Sequence, residues 1–273
     1  SVMGLEDKET QDSTPEANMR KALRIFAKTP TALAAFYRIR KGKKIIKPRK
    51  TLTFAENFFY MCFGKVPQKE IVKAFDVSLI LYAEHSFNVS TFTARTITSS
   101  LSDIHGAITG AIASLKGPLH GGANEEVMHM MNKIKKPENA LKWINNALKN
   151  KEVVMGFGHR VYKSGDSRVP TMRQYFGKVA KLKKDKKFEK IYDIVEKVMI
   201  KEKNIHPNVD YPTGPTYHLM GFDTDFFTPI FVISRITGWS AHIMEQHAAN
   251  KLIRPLASYK GSKHRKVLEL NQR

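Results

Sequence analysis

The segment from Phe226 to Met244 is apolar around almost its whole circumference when it is drawn as a helix. Such a helix has no polar face to turn toward water, so apolar surroundings must cover it on every side. Arg235 and His242 lie in its interior, and a charged arginine in the middle of a bilayer is costly. The segment therefore predicts a helix buried in a protein core, and we expect no membrane partner.

The rest of the chain carries helical patterns rather than strand patterns. Thr14 followed by Pro15 is typical of a helix start, with a capping hydroxyl and a proline in the first turn. Apolar residues recur at helical spacing in two further segments, at Ile71, Val72, Phe75, Leu79 and Tyr82 and at Phe188, Ile191, Tyr192, Val195, Val198 and Met199. No strong run alternates with a period of two, so the sequence predicts an all-α fold, with short helices in its first half.

Two changes in the helical pattern, near residues 132–137 and 203–207, could bracket a smaller inserted domain. We expect a large domain built from residues 1–134 and 207–273, and a small helical domain from about 135 to 206. Between Leu101 and Leu115, Gly106 and Gly110 stand about one turn apart. Each glycine weakens a helix by about 1 kcal/mol relative to alanine, so the pair indicates close approach of another backbone. Packing within the chain and a subunit interface both explain it.

The charge balance is strongly basic. Lys and Arg number 46 and Asp and Glu number 25, which gives a formal net charge of +21. Such a field attracts nucleic acid, anionic membranes, or small phosphorylated and carboxylated ligands, and its sign does not separate them. A nucleic-acid-binding protein is therefore one alternative, but the chain lacks clustered exposed aromatic residues and any known nucleic-acid motif. We expect no nucleic-acid partner.

The chain has one cysteine, Cys62, which excludes an internal disulfide and a cysteine-based zinc cluster. A buried thiol is the plain interpretation, because a free cysteine usually packs as a small hydrophobic residue. The first sixteen residues are polar and lack the apolar centre of a secretory signal peptide. These two features together favour a cytoplasmic protein.

Three loop-like segments each place a histidine or an aspartate among glycines or prolines. The first, Gly117 to Glu125, carries His120 between a proline turn and two glycines. The second, Gly156 to Arg168, concentrates histidine, arginine and lysine, which suits binding of carboxylate or phosphate. The third, Pro207 to Gly214, sets Asp210 just ahead of the buried helix, where partial desolvation would raise its basicity.

Each segment also has a plain structural interpretation. His120 could be an exposed turn histidine, and Asp210 could be an N-cap or an Asx turn. The second segment lacks both the G-x-G-x-x-G and the Walker patterns, so a dinucleotide site or a P-loop is a weak interpretation. The sequence also lacks a pair of metal-binding histidines with a helix-borne glutamate, a cysteine pair, and the G-x-S-x-G elbow of serine hydrolases. We expect no metal.

Taken together, the segments resemble the citrate synthase family. The order GPLHGGANE, GFGHRVYKSGDSR, NVDYPTG resembles the three catalytic segments of that family. The stretch from Ala83 to Phe92 upstream, and the run from Gly238 to Pro255 downstream, continue the match. The resemblance implies a two-domain, almost all-α homodimer, and the family normally has a further helical segment ahead of the part that this chain matches.

The resemblance also implies catalytic roles. Asp210 matches the base that takes a proton from the methyl carbon of a thioester, and His120 matches the donor that stabilises the enolate or enol. His159 matches the group that polarises and protonates the keto oxygen of oxaloacetate. An α-proton of a thioester is weakly acidic, so its removal needs a positioned base and a stabilised oxyanion at once.

Substrate-binding residues carry over in the same way. Arg168 and Arg254 match carboxylate-binding arginines, His85 matches a histidine of the same pocket, and Arg273 lies where the family has an arginine that reaches into the partner subunit's site. Guanidinium groups suit the two carboxylates of oxaloacetate because they bind carboxylate bidentately. For coenzyme A, the resemblance implies contacts from Val153, Val154, Met155, Gly156, Phe157, Gly158 and Lys163. No cofactor is implied, because acetyl-CoA is a co-substrate.

The resemblance therefore implies an acyltransferase that condenses acetyl-CoA with oxaloacetate and water to give citrate and CoA. The block from Pro212 to Gln246 and the segment RPLASY also resemble 2-methylcitrate synthases, which use propionyl-CoA. One extra methylene in an apolar pocket is worth roughly 1–3 kcal/mol, so a small change in a cavity could set the preference. Citrate synthase is the first hypothesis, and propionyl-CoA use or dual activity is the alternative. A helical scaffold without catalysis is a third class.

Overall fold

The computed structural model describes residues 1–162, 164–262 and 265–273. Its secondary structure is helical, which confirms the predicted all-α class. The α helices are α1 (Val2–Glu6), α2 (Pro15–Arg40), α3 (Phe54–Phe63), α4 (Lys69–Tyr82), α5 (Val89–Thr98), α6 (Ile104–Leu115), α7 (Ala123–Ile134), α8 (Pro137–Lys149), α9 (Val169–Leu182), α10 (Lys187–Lys203), α11 (Asp210–Met220) and α12 (Phe227–Ala248). Short 3-10 turns lie at Thr224–Phe226 and Leu270–Gln272.

Helix α2 begins where the sequence predicts. The Thr14 side chain accepts a hydrogen bond from the Ala17 N–H, and Pro15 occupies the first turn. The expectation of short helices is wrong here, because α2 is 26 residues long and runs through Pro30. Buried residues on both sides of Pro30 dock α2 along its length, so tertiary packing offsets the cost of an internal proline.

Two clusters of buried side chains form the core. One is rich in aromatic rings from α3, α4 and the turn before α12, where Phe58, Phe59, Phe75 and Phe222 pack together. It also contains Cys62, which is 2% exposed, as the sequence predicts. The second cluster joins α2, α5, α6 and α12 around Trp239.

Helix α12 is the central element of the second cluster. Trp239 is fully buried and Arg235 is 1% exposed, which confirms the predicted buried helix. Helices α2, α4, α5, α6 and α7 pack against it. Across the described residues, every helix is too short or too polar to cross a membrane.

The small residues of α6 serve packing inside the chain. A Cβ atom added at Gly110 would lie 2.1 Å from Cδ1 of Ile97 on α5. The sequence left two explanations for Gly110, packing within the chain and a subunit interface. The structure supports packing within the chain, between α5 and α6.

Gly238 brings α12 against the loop that follows α4. Its N–H donates to the Ala83 carbonyl oxygen at 3.0 Å. A Cβ atom at Gly238 would lie 2.5 Å from that oxygen and 3.1 Å from Cα of Glu84. Only glycine allows this approach, and the loop it supports carries His85.

We expect Gly238→Ala to lower the free energy of unfolding by about 1–3 kcal/mol, because the added methyl group meets backbone atoms that cannot move independently. Urea unfolding of the variant measures the loss. Gly177→Ala is the matched control, since its added methyl would only approach side-chain ends at 3.4 and 3.5 Å. In α9 that change should be neutral or stabilise by up to about 1 kcal/mol. Equal effects of the two substitutions would contradict the packing argument.

Candidate active site

The first turn of α11 lies where the two core clusters meet. Val209 belongs to the cluster around Trp239, and Tyr211 belongs to the aromatic cluster. Asp210 lies between them in the chain and is partly buried. Its backbone N–H donates to Oδ1 of Asn208 at 3.1 Å, so Asn208 rather than Asp210 makes the Asx-type turn.

The Asp210 carboxylate is held by one tyrosine. The buried Tyr82 hydroxyl, at the end of α4, donates a short hydrogen bond to Oδ1 of Asp210. Burial raises the pKa of Asp210 to about 6, although the Tyr82 hydroxyl and Arg168 each favour the ionised form. A carboxylate with that pKa is ionised at neutral pH yet still basic enough to accept a proton from carbon.

Backbone contacts tie the Asp210 segment to the segment that carries His159. The Asn208 N–H donates to the Gly156 carbonyl at 2.9 Å, and its side-chain amide donates to the Gly158 carbonyl at 3.0 Å. An isolated β-bridge pairs Phe157 with Pro207. The second and third sequence segments are therefore one structural unit.

His159 and His85 lie side by side. Their Nε2 atoms are 3.0 Å apart. The N–H groups of Val161 and Tyr162 both donate to Nδ1 of His159, at 3.0 and 3.2 Å. Nδ1 is thus an acceptor, and His159 carries its proton on Nε2 and donates it to His85. Burial, with Arg168 and His159 nearby, lowers the pKa of His85 to about 4, so this ring is neutral.

Arg168 is fixed by a buried carboxylate two residues away. Its Nε and Nη2 donate to Oδ1 and Oδ2 of Asp166 at 2.9 and 2.7 Å. Asp166 is 2% exposed, and its Oδ2 also accepts the Val209 N–H at 3.1 Å. Burial is the largest influence on Asp166 and opposes its ionisation. The hydrogen bonds and charge of Arg168, together with the backbone N–H bonds from Arg168 and Val209, outweigh burial, so the pKa of Asp166 is lowered. The pair sets Arg168 beside the start of α11.

His120 reaches the same region from the loop before α7. Its Nε2 lies 2.8 Å from Oγ of Ser90 and 3.3 Å from the Ser90 N–H, which donates to it. Nε2 therefore accepts, and the ring proton lies on Nδ1. Burial, followed by the charge of Arg235, lowers the pKa of His120 to about 4. His120 is neutral and has an N–H to offer.

The sequence reasoning missed two site residues. Tyr82 entered only as part of a helical pattern, and Arg235 was used only to exclude a membrane span. Its Nε donates to the Tyr82 carbonyl at 2.6 Å, and its guanidinium lies 4.7 Å from the centre of the Phe231 ring. Within the described residues, Nη1 is buried and has no hydrogen-bond partner. Burial, and then Arg168, lower the pKa of Arg235 to about 10. A cationic charge in the middle of an apolar helix was the signal that could have found it.

The predicted coenzyme A loop borders a cavity. A space of about 290 Å³ is lined by Val153, Val154 and Phe157 of that loop, with Lys151 and Lys203 among the other lining residues. A second space, of about 250 Å³, is lined by His159, Asp166 and His206. Lys163, predicted to serve the phosphates, lies outside the described residues.

Two predicted arginines lie apart from this cluster. Arg254 is exposed, in the extended segment after α12. The neighbouring Ile253 N–H bonds Oγ of Ser99, just past the C-terminal end of α5, whereas Ser90 at the opposite end of α5 contacts His120. Ten helical residues span about 15 Å, so Arg254 is far from His120 of its own chain. Arg273 is exposed and its Nε donates to the Leu268 carbonyl.

The assembled groups are a partly buried carboxylate with a raised pKa, neutral imidazoles with defined donors, and two neighbouring guanidinium groups. A base and an N–H donor near two guanidinium groups can remove a proton next to a carbonyl and stabilise the resulting oxyanion. The arrangement suits carbon-acid chemistry on an anionic substrate. It brings together His85, His120, His159, Arg168 and Asp210.

Comparison with known proteins agrees with this geometry. The family model described as "Citrate synthase, C-terminal domain" matches residues 1–256. The chain is 53% identical over 268 residues to a citrate synthase of Mycolicibacterium smegmatis, covering 98% of this chain and 72% of that protein. It is also 53% identical over 265 residues to a 2-methylcitrate synthase of Mycobacterium tuberculosis, covering 97% of this chain and 67% of that protein.

Solved structures give the same result. A citrate synthase from Thermoplasma acidophilum, in a ternary complex with carboxymethyl coenzyme A and oxaloacetate, superposes with a TM-score of 0.92 at 33% identity, covering 100% of this chain and 73% of that one. A citrate synthase from Thermotoga maritima gives a TM-score of 0.87 at 36% identity, covering 98% and 75%. The chain belongs to the citrate synthase family of enzymes.

Proposed function

We propose that this protein condenses acetyl-CoA with oxaloacetate and water to give citrate and CoA. The observation that carries the proposal is the Asp210 carboxylate, whose pKa is raised to about 6 by burial while Tyr82 holds it in place. Around it lie neutral histidine donors and two arginines. The family of the chain and the ligands of the Thermoplasma acidophilum complex support the same reaction.

Oxaloacetate is the substrate that the cationic side of the site would take. Arg168 is held rigidly by Asp166, and Arg235 has a buried Nη1 without a partner in the described chain. Asp166 neutralises Arg168, whereas the buried Arg235 has no ion-pair partner among the described residues, so a bound anion would be stabilised beside these two guanidinium groups. We assign one or both carboxylates of the keto acid to them. The keto oxygen would replace His85 as the acceptor of the Nε2–H of His159.

Enolisation of the thioester is the step that Asp210 performs. The ionised carboxylate takes a proton from the methyl carbon of acetyl-CoA, and the electron pair moves to the thioester oxygen. The Nδ1–H of His120 donates to that oxygen as its negative charge develops. A neutral histidine with its proton on Nδ1 can make this bond, because that N–H is a hydrogen-bond donor.

Condensation then joins the enol carbon to the keto carbon of oxaloacetate. As the C–C bond forms, the thioester carbonyl is restored and the keto oxygen takes the Nε2 proton of His159, which gives citryl-CoA. Release of the proton from Asp210 and uptake of one proton by His159 then restore both groups. Water hydrolyses the thioester and releases CoA, so the overall reaction is effectively irreversible. The Val153–Gly158 loop and its neighbouring cavity are proposed to hold the CoA nucleotide, and the strongly basic chain helps to attract both anionic substrates.

Propionyl-CoA is the alternative acyl donor. The relatives include citrate synthases and 2-methylcitrate synthases at the same 53% identity, so identity does not separate the two. Both reactions use the same base and the same enol donor. Citrate formation is our first proposal, and 2-methylcitrate formation or dual activity is the second. The lone buried thiol fits the reducing cytoplasm that we propose as its compartment.

The test is release of CoA thiol from acetyl-CoA and, separately, from propionyl-CoA, each with and without oxaloacetate. We expect release that depends on oxaloacetate, and the ratio of the two rates names the preferred thioester. A folded protein that releases no thiol from either donor would contradict the proposed reaction.

Asp210→Ala should lower kcat by about 10²–10⁴-fold, because it removes the general base. Binding of oxaloacetate, measured by calorimetry, should stay largely intact, since the arginines that we assign to it are unchanged. Asp193→Ala is a control for the loss of a carboxylate, because Asp193 pairs with Arg173 on the surface of α10 and not with the site. Normal turnover by Asp210→Ala would remove Asp210 from its assigned role.

The pH dependence of kcat/KM should follow Asp210. The base acts when ionised, so activity should rise with pH through about 6, and the histidines with pKa values of about 4 should add no second limb above pH 5. Tyr82→Phe removes a hydroxyl that stabilises the ionised carboxylate, so the rising limb should move to higher pH. A limb that stayed in place or moved to lower pH in this variant would show that the Tyr82 bond does not tune the base.

A homodimer is part of the proposal. The exposed side of α5 and α6 carries several apolar side chains, among them Val89 at 63%, Phe92 at 48% and Ile112 at 39% exposed. A second copy of the chain would cover this apolar face. In such a dimer the C-terminal segments, with Arg254 and Arg273, would be free to reach the partner's site, and we propose that Arg254 acts there.

Mixed dimers test that role. We expect Asp210→Ala and Arg254→Leu each to be nearly inactive alone. If Arg254 acts across the dimer, a mixed dimer has one intact site, because the Arg254→Leu subunit keeps its base and receives an arginine from its partner. Random mixing should restore about a quarter of the wild-type rate, since half of the dimers are mixed. No recovery after verified subunit exchange would place Arg254 in its own chain's site.

A further inference from the structure

The Tyr162 side chain contacts both imidazoles on the cationic side of the site. Its ring stacks on His85, with 5.4 Å between the ring centroids and 17° between the planes. It also contacts the His159 ring, with 4.7 Å between the centroids and 45° between the planes. The two imidazoles are 4.9 Å apart and inclined by 60°. Each of the three rings therefore contacts the other two.

His159 is oriented by the backbone of its own loop. The N–H groups of Val161 and Tyr162 both donate to its Nδ1, at 3.0 and 3.2 Å. Two fixed donors at one ring nitrogen set the rotation of the imidazole. The direction of His159 therefore does not depend on the Tyr162 side chain.

The His85 ring depends on a contact of another kind. It lies on the loop after α4, and its Nε2 is 3.0 Å from Nε2 of His159. Rotation about the last side-chain bond of histidine has broad energy minima, so one hydrogen bond leaves the ring plane free to tilt. A ring stacked nearly parallel to it removes that freedom, because tilting would break the offset contact. Tyr162 supplies this ring.

The same stack shields His85 from water. His85 and Tyr162 are both half-buried, and the tyrosine covers one face of the imidazole. Burial is the largest cause of the lowered pKa of His85, which is about 4. The charges around it follow in order, with Arg168, His159 and Arg235 lowering the pKa and Asp166 raising it. A shielded His85 is neutral and is not repelled by the neighbouring guanidinium groups.

The tilt of His85 also sets the space that the keto acid enters. In the proposed complex, the keto oxygen replaces His85 as the acceptor of the His159 Nε2–H. A His85 ring that tilted freely would obstruct this space in some orientations and admit water in others. A ring held in one plane keeps the shape of the space constant, and a preorganised site binds its ligand more tightly.

We propose that Tyr162 is a positioning residue that stacks on His85 and holds it beside His159 for binding of the keto acid. The inference rests on the proposed function, in which oxaloacetate binds beside His159 and Arg168. Tyr162 acts through His85. Its ring carries this role, since its hydroxyl lies 3.5 Å from Oγ of Ser167, at the outer limit of a hydrogen bond.

Tyr162→Ala removes the ring, and Tyr162→Phe keeps it. The stacking of one aromatic pair corresponds to about a 2- to 12-fold change in an equilibrium constant. In Tyr162→Ala we expect the Kd of oxaloacetate, measured by calorimetry, and its KM to rise by about that factor. The kcat at saturating oxaloacetate should change less, because the ring acts on binding.

Two further variants serve as controls. Tyr162→Phe should bind oxaloacetate as the wild type does. Tyr60→Ala on α3 should also leave the Kd unchanged, because Tyr60 is likewise half-buried but its ring contacts Arg49 outside the site. Unchanged affinity in Tyr162→Ala, or a loss in Tyr162→Phe equal to that in Tyr162→Ala, would overturn the proposal.

A double-mutant cycle shows whether Tyr162 acts through His85. In a His85→Ala background, Tyr162→Ala should weaken oxaloacetate binding little or not at all. If Tyr162 contacted the keto acid itself, or only supported its own loop, the loss would be the same in both backgrounds. Equal losses would contradict the positioning role.

Proton NMR of the His85 ring reports the stack without turnover. The ring current of Tyr162 should shift the His85 ring protons upfield in the wild type and in Tyr162→Phe, but not in Tyr162→Ala. In Tyr162→Ala the pKa of His85 should also rise from about 4 toward about 6.5, because water reaches the uncovered face.

His85 protons without an upfield shift in the wild type would overturn the proposal, even if Tyr162→Ala did not fold. A different result would contradict the proposed reaction alone. If the wild type showed the stack and bound oxaloacetate but released no CoA thiol, the positioning role would be supported and the condensation would not.

Discussion

The buried carboxylate of Asp166 is the contact on which the site depends. Its two oxygens bind the guanidinium of Arg168 and the backbone N–H of Val209, the residue just before the base. One side chain therefore fixes both a cation of the site and the first turn of α11. Burial of a carboxylate is costly, and the paired arginine offsets that cost and keeps Asp166 ionised. Without this pair, the second and third sequence segments would keep their backbone contacts but lose their common electrostatic anchor.

Burial acts in opposite directions on the acid and on the imidazoles of the site. It raises the pKa of Asp210 to about 6 and lowers the pKa values of His85 and His120 to about 4. The same low-dielectric surroundings thus give a carboxylate that is basic near neutral pH and histidines that stay uncharged there. Burial alone therefore separates the base, Asp210, from the neutral histidine donors. Hydrogen bonds from Tyr82 and Ser90 then determine which atoms of the site carry protons.

Sequence patterns predicted the helical class, the buried helix that became α12, and the three segments that meet at the site. Those features are local or periodic, and a single segment carries each of them. The bond from Tyr82 to Asp210, the turn made by Asn208, and the position of Arg235 beside Arg168 depend on how distant helices pack, and no local pattern encodes them. The sequence shows Arg235 as a charge in an apolar helix. The spacing of residues along the chain does not show that Arg168 lies beside it. We propose that Arg235 binds substrate within its own chain and that Arg254 binds it across the dimer. This assignment likewise depends on how distant helices pack.

The chain's only thiol lies inside the aromatic cluster. Cys62 is 2% exposed, and burial raises its pKa to about 12, so in the native protein the reactive thiolate is scarce and shielded. A thiol reagent in solution would therefore find released CoA quickly and the enzyme itself slowly. The rate at which Cys62 does react would therefore measure how often α3 separates from the core. The residue is a natural reporter of local opening of the fold.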